Sequence, residues 1–398
     1  MSKYARRLEK LGTESVFEVA RQANEWSRAG NTVFPFHIGD FNIPTPYRVV
    51  EAMNRAIVDG KTGYCEPPGI PELRHALAED VGKLRNLEYN IENVIIQPGG
   101  KPTIGKFILA AMEPNDEVLY PTPGFPIYES LIEFHQGKAI PYSYVENKGD
   151  FIIDIDRLKS DVTSKTSMLI FNNNHNPTAT ESSPNELEAL AEICIENDLW
   201  VLSDEAYFET RYEGEPRSIA SIPGMAQRTV ILYTFSKRFA TTGWRVGASI
   251  GPKKVMDIIS RLNVNDESCT NHFAQWAMVE ALKGGQEMCK PIIDELHERR
   301  DLTCKILNDI KGISVASPAS TFYVYPNLTE IVHRMGFNSG KELQEDILIK
   351  TGVGFCPREY FCRPIPSENQ YYGRFAYAGI SQDEIKEGLS RLKYYCES

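Results

Sequence analysis

The string Thr234-Phe235-Ser236-Lys237-Arg238-Phe239, continued by Thr242-Gly243-Trp244-Arg245-Val246-Gly247, holds the groups best suited to covalent chemistry. A lysine amine that is partly neutral condenses with an aldehyde to a Schiff base, and desolvation or a nearby guanidinium depresses its pKa. The hydroxyls of Thr234 and Ser236, with the guanidinium of Arg245, would cup a phosphate. A lone Ser-Lys in a polar loop is more often just an exposed lysine. The reading therefore depends on its company.

Two further strings supply that company. In Ser203-Asp204-Glu205-Ala206-Tyr207, a buried carboxylate at Asp204 set against a pyridine nitrogen would keep it protonated and turn the ring into an electron sink. Tyr207, three positions on, would donate to an oxygen of the same ring. Taken alone, an Asp after a strand is commonly a cap or a turn residue. Asn174-His175-Asn176-Pro177-Thr178-Ala179 is, by itself, only a turn signal.

The elements that must position these strings are readable. From about Ile91 to Ile250, short apolar runs alternate with longer helical stretches. Asn93–Ile96, Glu117–Tyr120, Met168–Phe171, Trp200–Ser203 and Thr229–Tyr233 are predicted strands, and Pro98-Gly99-Gly100 precedes a helical pattern that runs through Met112. Ser183, Pro184 and Glu186 start the helix before Trp200 with a capping box. Such alternation implies a largely parallel sheet covered on both faces, with ligands at the strand ends. After Gly284-Gly285 come an amphipathic helix over 287–310 and short strands at 312–316, 321–325 and around Arg374-Phe375-Ala376-Tyr377. The expected architecture is α/β: a large domain at 48–285, with 1–47 and 286–398 forming a smaller α+β domain.

Bulk properties exclude some functions. The 398 residues exceed one compact core and suit two domains. Against 54 Asp and Glu stand 43 Lys and Arg, a formal charge of −11, which argues against nucleic acid as a partner. No run approaches the ~20 apolar residues that span a bilayer. The start, Met1-Ser2-Lys3-Tyr4-Ala5-Arg6-Arg7, has no apolar signal core. Eight scattered Cys lack metal-ligand spacing and read as reduced thiols, so no metal is expected and a cytoplasmic enzyme is the default.

In this order and spacing the motifs resemble the fold-type I, class I/II aminotransferases over nearly the whole chain, and bacterial aspartate-type members most closely. The resemblance implies pyridoxal 5'-phosphate as cofactor, held by Lys237 as a Schiff base. It implies Asp204 at the pyridine nitrogen, Tyr207 and Asn176 at the ring hydroxyl, and Arg245 with Thr234 and Ser236 at the phosphate. Gly99, Gly100 and Lys101 would hold the phosphate from a helix start. Phe125, in Pro121-Thr122-Pro123-Gly124-Phe125, would stack on the ring. Tyr64, in Gly63-Tyr64-Cys65-Glu66-Pro67-Pro68-Gly69, would reach the phosphate of a neighbouring subunit, which implies a homodimer with shared sites. Gly39, in Phe36-His37-Ile38-Gly39-Asp40, would meet the substrate through its backbone, and Arg374 would clamp its α-carboxylate. Each of these residues has a bland alternative as a turn glycine, core aromatic or surface cation. Their order along the chain favours the family reading.

The implied activity is ping-pong transfer of an amino group between an L-amino acid and a 2-oxo acid. Lys101 matches a lysine that meets a distal carboxylate in some aspartate-type members, which points to aspartate or glutamate; Asp266-Glu267 would favour a basic substrate if it reached the pocket. Ala179 stands where the family's Asn-Pro-Thr motif ends in Gly, and His37 and His175 are less usual beside it. A histidine there would act as an added acid or base or, more commonly, as a hydrogen-bonded structural residue. An added base would suit a β-lyase, a decarboxylating or cyclising enzyme, or an oxygen-dependent amino-acid oxidase on the same fold. A ligand-sensing regulator would need a DNA-binding domain in addition.

Overall fold

The structure, a computed structural model, describes residues 4–12, 16–147, 149–366 and 368–398. Met1-Ser2-Lys3 of the N-terminal reading lie outside the described residues. A first short strand, β1 (Phe34–Pro35), is followed by β2 (Val94–Gln97), β3 (Glu117–Thr122), β4 (Lys138–Asn147) and β5 (Asp150–Ile153). Then come β6 (Thr166–Phe171), β7 (Trp200–Asp204), β8 (Thr229–Thr234) and β9 (Gly247–Ile250). Among the described residues eight of these form one sheet in the order β2-β9-β8-β7-β6-β3-β4-β5. The ladders β8–β7, β7–β6, β6–β3 and β3–β4 are parallel. The ladders at the two sides, β2–β9, β9–β8 and β4–β5, are antiparallel.

Successive strand residues point to opposite faces, and here both faces are apolar. Ile96, Ile231 and Tyr233 pack with Leu77 and Met278 on one side. Their neighbours Ile95, Val230 and Leu232 pack with Phe107 and Ile259 on the other. A sheet buried on both faces gives continuous apolar runs, which is why these strands were readable. The predicted cap is present, with Glu186 N donating to Ser183 Oγ at 3.2 Å and Ser183 N donating to Glu186 Oε2 at 2.9 Å. β4, β5 and β9 escaped the reading because their sequences mix polar and small residues with apolar ones.

The smaller domain holds β10 (Tyr323–Val324), β11 (Val353–Gly354), β12 (Cys356–Pro357) and β13 (Gly373–Ala376). β13 lies between β10 and β12, antiparallel to both, and β1 pairs in parallel with β11. Phe34 and Phe36, from near the N-terminus, share a core with Leu296, Phe375 and Leu389. One long helix, His272–Asn308, starts well before the predicted residue 287 and is interrupted at Gly285, whose φ of 57° and ψ of −146° are not helical. The predicted strand over 312–316 is reduced to one antiparallel bridge, Ser314 with Asn327. Val315 instead donates its N–H to Asn308 Oδ1 at 3.0 Å and receives Asn308 Nδ2 at its carbonyl at 2.9 Å, so a side chain takes the groups a strand would use. No helix among the described residues is long and apolar enough to cross a membrane.

Candidate active site

Four parallel strands deliver their C-terminal ends to one place. β7 ends on Asp204, β8 runs into the single turn Phe235–Arg238 that carries Lys237, β6 leads to Asn172 and Asn176, and β3 leads to Phe125. Lys237 Nζ donates to the carbonyl of Gly39 at 3.0 Å and lies 5.2 Å from the Phe322 ring centroid. Asp204 is buried, and its Oδ2 accepts from Tyr128 OH at 2.6 Å while Oδ1 accepts from the N–H of Ala206 at 3.1 Å. Burial outweighs those two bonds and pushes its pKa up to about 6. A carboxylate held this way gains from a cationic partner.

Arg374, on β13, is buried, with Nη1 donating to Asn176 Oδ1 at 2.9 Å and Nη2 to the carbonyl of His37 at 3.2 Å. Its guanidinium is flanked by the rings of Tyr323, at 4.4 Å, and Phe361, at 4.9 Å. Arg374 Nε is buried without a partner among the described residues, so donor capacity is left over for an anion. The two loops are tied together. Asn172 accepts from the N–H of Asn176 at 2.9 Å and donates to the Asp204 carbonyl at 2.9 Å.

One end of the site is shaped by missing side chains. Gly99 has φ +95°, and a Cβ there would lie 2.0 Å from Arg245 Nη2. A Cβ on Gly100 would lie 2.8 Å from Leu232 Cδ2 and 3.4 Å from Thr234 Cβ. The helix Lys101–Ala111 begins right after them. Thr234 Oγ1 donates to Ser236 Oγ at 2.9 Å, and Arg245 holds a left-handed φ of 56° with Nη1 on the Thr242 carbonyl at 2.7 Å. Amides at a helix start, two hydroxyls and a guanidinium in a cradle that a side chain would fill suit a phosphate monoester. With Asp204 at the other end, the donor set fits a phosphorylated pyridine.

The remaining expectations divide. Tyr207 OH lies 2.7 Å from Tyr323 OH, and Phe125 makes an edge contact with Tyr128 at 5.7 Å. Lys101, at the first helical position, has its Nζ 5.5 Å from the Phe125 ring. Tyr64 is 88% exposed on the single chain and is not brought to this chain's own pocket. The pair Asp266-Glu267 pairs instead with Lys106: Glu267 bonds its ammonium directly and Asp266 lies 3.8 Å away. His37 and His175 are buried, and burial lowers their pKa values to about 4 and about 3, so both rings are neutral. His175 stacks on Tyr144 at 4.2 Å and shares a 2.8 Å bond with Thr178 Oγ1.

Sequence reasoning missed Asn172, Tyr128 and Tyr323. The signal for Tyr128 was its place three residues after Phe125, at the start of the helix Ile127–Phe134. Asn172 and Tyr323 had none, because each acts across a contact between distant segments.

Fold and site together are those of an α/β protein that gathers an amine, a buried carboxylate and a cradle suited to a phosphate at the strand ends of its large sheet. Residues 31–392 match the family model described as aminotransferase class I and II, and the chain belongs to that family. It is 31% identical over 382 residues to the aspartate aminotransferase of Sulfurisphaera tokodaii, covering 96% of this chain and 93% of that one. The structure of the Thermus thermophilus aspartate aminotransferase with maleate superposes with a TM-score of 0.90 at 29% identity, covering 99% of this chain and 100% of that one. The N-succinyldiaminopimelate aminotransferase of Mycobacterium tuberculosis gives 0.91 at 26% identity, over 98% and 100%. Enzymes of this family use pyridoxal 5'-phosphate, and amino acids and 2-oxo acids are their substrates.

Proposed function

We propose that this enzyme transfers the amino group of aspartate or glutamate to a 2-oxo acid, with 2-oxoglutarate as one acceptor. The bound cofactor supplies an electron sink for charge that develops at the substrate Cα. Lys237 is the amine that holds it and then moves a proton at Cα; Asp204 keeps the ring nitrogen protonated. Tyr207 and Asn176 hold the ring oxygen, Phe125 covers the ring face, and Gly99, Gly100, Thr234, Ser236 and Arg245 hold the phosphate. Arg374 orients the α-carboxylate, with Gly39 and Asn176 beside it. Lys101 meets the distal carboxylate. The observation that supports this reading is the Lys237 amine 3.0 Å from Gly39 O in a pocket that also presents Asp204 and the spare donor of Arg374.

The working unit is a homodimer in which Tyr64 serves the neighbouring site, the location is cytoplasmic, and the domains divide as 48–285 against 1–47 with 286–398. One experiment tests the chemistry and the substrate class together. Single-turnover bleaching of the cofactor band is measured with a panel of amino acids, for wild type, Lys237→Ala and Lys101→Ala. Aspartate and glutamate should react fastest with wild type, and Lys237→Ala should not turn over. Lys101→Ala should weaken acidic donors by roughly 10–100-fold, about 1.4–2.7 kcal/mol, and spare neutral ones. Preference for a basic or aromatic donor that Lys101→Ala leaves unchanged defeats the acidic reading. Turnover by Lys237→Ala near the wild-type rate defeats the lysine assignment.

A further inference from the structure

Groups assigned above to separate tasks meet on one side chain. Tyr323 opens β10 and is 2% exposed. Its hydroxyl lies 2.7 Å from that of Tyr207, and its ring centroid lies 4.4 Å from the guanidinium carbon of Arg374. A Cβ on Gly39 would come within 2.6 Å of the Tyr323 hydroxyl oxygen, so the segment that receives the Lys237 amine also packs on it. The sheet fixes this geometry. Tyr323 pairs with Ala376 on β13, and Arg374 lies on the same face two residues earlier, at the diagonal position.

We infer that Tyr323 is a positioning residue with two separable tasks: its hydroxyl sets the hydrogen bond of Tyr207, and its ring sets the orientation of Arg374. The inference rests on the assignment of Tyr207 to the cofactor's ring oxygen and of Arg374 to the α-carboxylate. A phenol has one proton to give. When Tyr207 commits that proton to the ring oxygen, the 2.7 Å contact persists only with Tyr323 as the donor. Donation into the Tyr207 oxygen polarises its O–H bond and makes it the stronger donor. The other face of the relation is independent of the hydroxyl. The Tyr323 and Phe361 rings both lie within 5 Å of the Arg374 guanidinium and limit the directions its donors can take. One residue of the smaller domain thus registers the cofactor side of the pocket against its carboxylate side.

The test compares Tyr323→Phe, Tyr323→Leu, Tyr207→Phe and the Tyr207→Phe/Tyr323→Phe double variant, each loaded with cofactor. Three quantities are read: the pH at which the visible band of the bound cofactor titrates, the dissociation constant of the cofactor, and the split between kcat and KM for the amino donor. Weaker donation to the ring oxygen leaves that oxygen more basic, so the bound cofactor keeps its proton to higher pH. Tyr323→Phe should move the titration upward by about 0.5 pH unit, the worth of part of one hydrogen bond. In the Tyr207→Phe background the same change should move it no further. Tyr323→Leu, which removes the ring as well, should add a rise in KM of about 3–10-fold that Tyr323→Phe lacks. Tyr323→Phe keeps the packed ring, so it separates the hydroxyl's effect from any loss of folding that Tyr323→Leu brings. A wild-type titration in Tyr323→Phe alongside a shifted one in Tyr207→Phe overturns the inference alone, as does an equal KM rise in the two Tyr323 variants. If Tyr207→Phe changes neither the titration nor cofactor affinity, the assignment beneath the inference falls as well.

Discussion

Asp204 and Glu205 are adjacent in the chain and buried alike, yet they serve opposite sides of the sheet end. Glu205 faces away from the pocket and is fully engaged: Oε2 accepts from Arg85 Nε at 2.5 Å, and Oε1 accepts from the hydroxyls of Ser203 and Ser218. Arg85 also has Glu209 at 3.5 Å and lies over the Phe208 ring at 3.6 Å, so one guanidinium serves two buried carboxylates. Among the described residues Asp204 accepts from Tyr128 OH and the Ala206 N–H, and its pKa is pushed up to about 6. One carboxylate is spent on an ion pair, and the other is the one proposed to meet the cofactor. Asn174, Ala179, Ala240, Arg245 and Thr321 hold left-handed conformations, as does Asn86 beside Arg85.

The largest expected effect is on the chemistry. Asp204→Ala removes the anion proposed to keep the ring nitrogen protonated, and the chemical step should fall by several powers of ten, on the order of 4–8 kcal/mol. Stability should change far less. Near-normal turnover in this variant would erase the distinction between the two carboxylates from the catalytic side.

The reverse pattern is expected behind the sheet. Arg85→Ala leaves Glu205 and Glu209 buried without their cation, a change that typically costs about 3–5 kcal/mol. Urea unfolding should show that loss, while the cofactor band keeps its position in whatever fraction stays folded. An Arg85→Ala protein of wild-type stability would mean the cluster is not a scaffold.

A third expectation uses pH. For Asp204 the folded value of about 6 stands above the ordinary 3.8, so the folded state of the cofactor-free protein holds a proton that the unfolded chain has lost. Its contribution to stability is present below about pH 4 and lost as the pH rises through 6, on the order of 2–3 kcal/mol. Cofactor-free protein should therefore be less stable at pH 7.5 than at pH 5 by more than Asp204→Asn is. Loading the cofactor should flatten the same window. Identical pH dependence in wild type and Asp204→Asn would show that Asp204 is not strained by burial.

The two regions were not equally readable. Asp204, Lys237 and Arg245 follow apolar strands in short strings, so their types and spacing sufficed to bring them to one end of one sheet, whereas Asn176, in a string that is locally only a turn signal, was assigned through the resemblance. Arg374 could be assigned only through family order, because an arginine opening a late strand has no local mark. The cluster behind the sheet was invisible. Arg85 and Glu205 are 120 residues apart and bond each other at 2.5 Å, and each reads locally as an ordinary helix or turn charge. Tyr323 was hidden in the same way, since its partners arrive from the N-terminal segment, β13 and the turn after β7. Asp266-Glu267 shows the opposite failure. Its charge was plain, but only the fold reveals that Lys106 already occupies it.

The smallest effect bears on strain at the pocket. Ala179 holds φ +61° in the turn where His175 O accepts its N–H at 2.7 Å and His175 N donates to Thr180 O at 2.9 Å. A left-handed alanine costs about 1–2 kcal/mol because its Cβ crowds the following carbonyl. Glycine removes that crowding but loses about 0.4–1 kcal/mol to the greater freedom of its unfolded chain. The difference leaves Ala179→Gly more stable by about 0.8 kcal/mol, with the turn, the His175–Thr178 contact and the position of Asn176 retained. Chemical denaturation resolves a shift of that size when both proteins are measured side by side. A loss of stability would mean that the methyl group's burial outweighs its backbone strain, and the pocket side would then be less strained than its dihedral angles imply. A gain in stability with unchanged cofactor affinity would locate the strain in the turn and not in the grip on the ligand.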